Sequence, residues 1–67
     1  MTFAEALAFA ASWVESLDGV ESVAEGLSGG EPCITVFVSS PTTARLIPAT
    51  VGRWKVVIEG IQSRILS

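Results

Sequence analysis

The chain offers one soft nucleophile, Cys33, and no histidine. A reactive cysteine needs a base, a cation or a helix start beside it to hold the thiolate. Cys33 instead opens the run Cys33-Ile34-Thr35-Val36-Phe37-Val38, whose alternation reads as strand. A packed thiol is the expectation. The missing histidines remove His-based triads and most zinc sites, and a single cysteine closes no disulfide within the chain. Glu21 and Glu25 stand four apart on a second strand-like segment. That separation is ~13 Å along a strand, too wide for a glycosidase-type carboxylate pair. No catalytic residue, metal ligand or cofactor is expected, and the chain does not read as an enzyme.

Two polar clusters invite an anion. Ser28-Gly29-Gly30 has the glycines of a phosphate loop, but a strand follows it and no lysine is close behind. It reads as a hairpin turn. Ser39-Ser40-Pro41-Thr42-Thr43 with Arg45 is the stronger cluster, because N–H groups at a helix start, hydroxyls and a guanidinium suit phosphate or carboxylate. With the later bases, the expected anion-binding set is Ser40, Thr42, Thr43, Arg45, Arg53 and Lys55. Phe37 with Lys55 and Arg53 echoes a nucleic-acid-binding sheet, but Glu21 and Glu25 would share that surface. A net charge of −3 and a pI near 4.5 also argue against nucleic acid as the partner.

The elements that would carry these residues follow from periodicity and punctuation. Thr2-Phe3-Ala4-Glu5 is a capping-box pattern, and Asp18-Gly19 suits a helix end, so one long N-terminal helix is expected between them. Phe3, Leu7, Ala10, Val14 and Leu17 form its apolar stripe, and Ala6, Phe9 and Trp13 widen it to an arc of roughly 200°. Strands are expected at Val20–Leu27, Cys33–Ser39 and Trp54–Ile58, with a short helix opened by Ser40-Pro41. About fifteen residues separate the second and third strands, enough for a crossover to a parallel strand. A right-handed crossover would set the third strand beside the first, in the order 2-1-3. Arg53 and Lys55 would then face Glu21 and Glu25. The small residues Ser22, Ala24 and Gly26 would receive the helix, leaving Val23, Leu27, Cys33, Phe37 and Val57 on the opposite face. A tail at Ile61–Leu66 could add a further short strand. The expected fold is a single α+β domain over 1–67, of α-β-β-α-β order, with a three-stranded sheet and the helix on one face.

Composition agrees with a folded domain. Of 67 residues, 49% are apolar and 16% charged, which excludes intrinsic disorder. Residues 1–33 hold six acids and no base, while residues 34–67 hold four bases and one acid, so the two halves should attract. The longest early apolar stretch, Ala6–Val14, is far short of the ~20 residues that span a bilayer. The first positive charge is Arg45, so no signal peptide is expected and a cytoplasmic location is.

Gly19-Val20, Gly26-Leu27, the run Gly30-Glu31-Pro32-Cys33-Ile34-Thr35-Val36-Phe37-Val38, Ile47-Pro48, Gly52 and Val56-Val57-Ile58 resemble a short module. That module precedes some bacterial trypsin-like peptidase domains and occurs in small stand-alone proteins. The likeness covers residues 19–61 and implies the α-β-β-α-β fold. It carries over no catalytic residue, because the peptidase's own residues lie outside the module. Ser22, Ala24 and Glu25 depart from it, where its first strand is richer in glycine and aliphatics.

A chain this small buries a modest share of its surface, and without a disulfide or metal the remaining staple is another chain. Self-association as a homodimer is therefore expected, with a different protein as the other possible partner. The contacts would come from Val23, Leu27, Phe37 and Val57 on the uncovered sheet face, or from Phe9 and Trp13 on the helix edge. The alternative is a small-anion or nucleic-acid binder using the basic second half.

Overall fold

Thr2 caps the first helix in both directions. Its Oγ1 accepts from the Glu5 N–H at 3.2 Å, and the Glu5 carboxylate accepts from the Thr2 N–H at 2.7 Å. The computed structural model describes residues 1–60; the strand expected at Ile61–Leu66 lies outside them. Helix α1 (Phe3–Ala11) is followed after Ser12 by one more turn, α2 (Trp13–Ser16). The expected single helix is interrupted because the Ser12 hydroxyl donates to the Phe9 carbonyl at 2.6 Å. Such back-bonding competes with the helical ladder. Thr2→Ala should cost about 1 kcal/mol, read as a lower urea midpoint with an unchanged slope.

Strands β1 (Val20–Ser28) and β2 (Glu31–Val38) form an antiparallel hairpin. Its two-residue turn needs positive φ at both positions, and Gly29 and Gly30 supply φ of 61° and 84°. Helix α3 (Pro41–Ala44) follows, then β3 (Thr50–Val51) and β4 (Trp54–Gly60), which pair antiparallel. β4 runs parallel to β2, with Ile34 beside Val56 and Val38 beside Gly60. The fold is α+β, with a mixed sheet in the order β1-β2-β4-β3.

Three expectations give way. Among the described residues the sheet has four strands rather than three, the extra one being the two-residue β3. The crossover does return a parallel strand, but beside β2 and not β1. β2 is the richest in β-branched residues and is buried at Cys33, Ile34, Val36 and Val38, as suits a central strand. β1 carries a bulge and exposed glutamates, as suits an edge. Glu21 and Glu25 therefore lie across β2 from Arg53 and Lys55, and the expected cross-strand charge pairing does not form.

The third correction concerns the faces. Ala6 and Ala10 of α1 are fully buried, so the helix supplies the small residues for close approach. They pack with Trp13, Val20, Ile34, Val36, Val38, Ile47, Val51 and Val56 in one core, and Val23 leans against it. Ser22, Ala24 and Gly26 belong to the other face. Glu21 is the reason: Val20 pairs with Val38, but Ser22 already pairs with Phe37, leaving Glu21 as an extra residue. A bulge of one residue exchanges the faces of everything that follows. Among the described residues no helix is long and apolar enough to cross a membrane.

Candidate functional site

Among the described residues, helices lie on one side of the sheet only. The Cα frame is 16 Å through its thinnest axis, room for one sheet and one helical layer. The opposite face, open as far as the described residues go, is built from the register: Ser22 and Phe37, Ala24 and Thr35, and Gly26 and Cys33 are paired across β1 and β2. Val57 stands beside Thr35 and Glu59 beside Phe37, and alternation adds Lys55. Cys33, Thr35, Phe37 and Val57 form its centre; Cys33 is buried and the other three are half-buried. The Cys33 thiol lies 4.0 Å from the Thr35 hydroxyl. Ser22, Ala24, Lys55 and Glu59 form an exposed rim.

The expected interface residues thus divide. Phe37 and Val57 share the open face. Val23 and Leu27 lie on the helix side, moved there by the Glu21 bulge. Trp13 is only 7% exposed and belongs to the core, so it does not form an exposed helix edge. Phe9 remains outside at 52% exposure, its ring edge-on to Trp13 at 5.8 Å.

No protein-family model, curated protein or solved structure matches this chain.

The expected anion set does not assemble either. Thr43 is buried and donates its hydroxyl to the Asp18 carbonyl at 2.7 Å, tying α3 to the end of α2. Ser40 accepts from the Thr42 N–H at 3.2 Å as an ordinary cap. Those residues and Arg45 follow the C-terminal end of β2, next to the end of β4 at Gly60. Arg53 and Lys55 sit at the start of β4, roughly 20 Å away along the strand. There the Arg53 guanidinium lies 5.3 Å over the Trp54 ring. Together with Ser28, Glu31, Pro32 and Lys55 they line a cleft of about 260 Å³, in which Glu31 offsets part of the positive charge.

Two features escaped the sequence reading. One is Glu59, which stands with the expected Lys55 on either side of Val57, a pattern legible in the alternation of β4 once that strand is placed inside the sheet. The other is a groove of about 550 Å³ lined by Phe3, Glu25, Gly26, Leu27 and Pro32, between the helix start and the hairpin end. It needs the three-dimensional meeting of α1 with β1. Among the described residues no cluster of three or more His, Cys, Asp or Glu could hold a metal.

Proposed function

We propose that this chain is an assembly module that pairs with a second copy of itself through the open face of its sheet. The observation that carries the reading is the apolar centre at Phe37 and Val57 with opposite charges, Lys55 and Glu59, on either side of Val57 along one strand. A two-fold axis near Val57 sets Lys55 of one copy against Glu59 of the other, twice. Such a surface is self-complementary, which a closed two-fold dimer requires. A small domain without a disulfide also gains from a second layer over a sheet face that no described helix covers.

The test is the oligomeric state of three variants by sedimentation equilibrium at tens of micromolar. Phe37→Glu should give a monomer, because it puts a charge at the centre of the contact. Lys55→Glu sets four carboxylates along the junction and should weaken dimerisation at least tenfold. Lys55→Glu with Glu59→Lys restores the pairing with reversed polarity and should recover most of it. A wild-type chain that sediments as a monomer rejects the reading.

A further inference from the structure

We propose that the outer edge of β1 is a docking site for an extended, basic segment of a partner protein, which adds to the sheet as a fifth strand. This goes beyond the self-pairing proposed above and uses a different surface. Among the described residues β1 has a strand on one side only. The two-residue turn makes Ser28 and Glu31 a hydrogen-bonded pair, so Ser22, Ala24 and Gly26 also bond to β2. The Ser39 N–H bond to the Gly19 carbonyl, 2.9 Å, agrees with that parity on the far side of the bulge. Val23, Glu25 and Leu27 therefore present their N–H and C=O groups outward. A row of this kind pairs with an incoming strand through its backbone.

The side chains along that row select the occupant. Leu27 is 76% exposed, the most exposed large apolar side chain of the described residues. It borders the groove shared with Phe3 and Pro32, and Glu25 stands on the same wall. Glu21 adds a second exposed carboxylate at the bulge. The edge lacks lysine and proline, the usual guards of an open strand. Its charge also opposes the simplest alternative: two β1 strands paired antiparallel about Glu25 would set the two Glu25 carboxylates directly against each other. An antiparallel guest instead places an apolar residue over the groove at Leu27 and, two residues on, a Lys or Arg against Glu25.

The probe is the blocked hexapeptide Leu-Thr-Lys-Thr-Val-Thr, titrated into the full chain labelled with nitrogen-15 at low salt. Binding should move the amides of Val23, Glu25 and Leu27 and slow their hydrogen exchange. The same peptide with Glu for Lys should bind at least tenfold more weakly. Glu25→Gln, an exposed and nearly isosteric change, should bring the two peptides to within about threefold of each other. Absence of binding up to millimolar peptide overturns the proposal. So do equal affinities for both peptides on the wild-type chain, or shifts centred on Phe37 and Val57. Failure of the dimer test leaves this result unaffected, since the peptide site lies on the strand edge and not on the open face.

Discussion

Trp13→Ala should unfold most of the protein at room temperature, not merely separate its copies. Removing a buried tryptophan costs about 3–5 kcal/mol, because the lost transfer energy is joined by an unfilled cavity. At about 0.05–0.15 kcal/mol per residue the 67 residues hold about 3–10 kcal/mol, and at the low end expected of so small a core the loss matches the whole. Trp13 is 7% exposed and sits among Ala6, Ala10, Val20 and the buried side chains of β2. The alanines beside it are too small to close the gap. Circular dichroism in urea should show the folded baseline lost or a midpoint close to zero denaturant. Phe9→Ala gives the contrast: its ring touches Trp13 from the outside, and its half-exposed position limits the loss to about 1 kcal/mol. A Trp13→Ala chain that stays folded and only dissociates would return Trp13 to the role its aromatic, helix-edge position suggests in sequence.

That contrast marks the boundary of what the residues reveal before folding. Local chemistry was readable. The Thr2–Glu5 capping box, the Gly29-Gly30 turn and the Ile34/Val36/Val38 stripe depend on neighbours within a few positions, and each forms as its pattern dictates. The crossover to a parallel strand was legible from its length, yet its side of the hairpin was not. Which strand becomes central depends on how much each can bury on both faces, and β2 exceeds β1 there. The faces of β1 were misread for a sharper reason. Alternation along one strand is blind to a bulge, which belongs to the register between two strands. One extra residue, Glu21, sends Val23 to the core side and Ala24 to the open side. The candidate site suffers the same exchange: Phe37 and Val57 stay together because they lie beyond the bulge on other strands, while Val23 and Leu27 leave. The face of Phe37 and Val57 and the β1 edge thereby become two separate surfaces, one with Lys55 and Glu59 on either side of Val57 and one with Glu25 beside Leu27.

Gly19→Ala is expected to be the second most damaging change, and its size tests how the ends of α2, β2 and α3 are joined. Gly19 has φ of 100°, outside the region that L side chains readily occupy. Its carbonyl accepts from both the backbone N–H and the hydroxyl of Ser39, at 2.9 and 3.3 Å. The preceding carbonyl, of Asp18, accepts from Thr43 at 2.7 Å. A Cβ on residue 19 would collide with the Thr43 hydroxyl, the group that makes that bond. Backbone strain of about 1–3 kcal/mol therefore adds to the loss of a hydrogen bond that carries about 0.5–1.5 kcal/mol. A total near 2–4 kcal/mol follows, seen as a fall in the urea midpoint. Thr43→Ala removes the hydroxyl and should cost about 1 kcal/mol alone. Combined with Gly19→Ala it relieves the collision, so the double variant should be more stable than the two single losses predict, by about 1 kcal/mol. Strict additivity would mean that residue 19 and Thr43 do not meet. A Gly19→Ala chain as stable as the wild type would mean that the helix end does not turn into β1 through a positive φ.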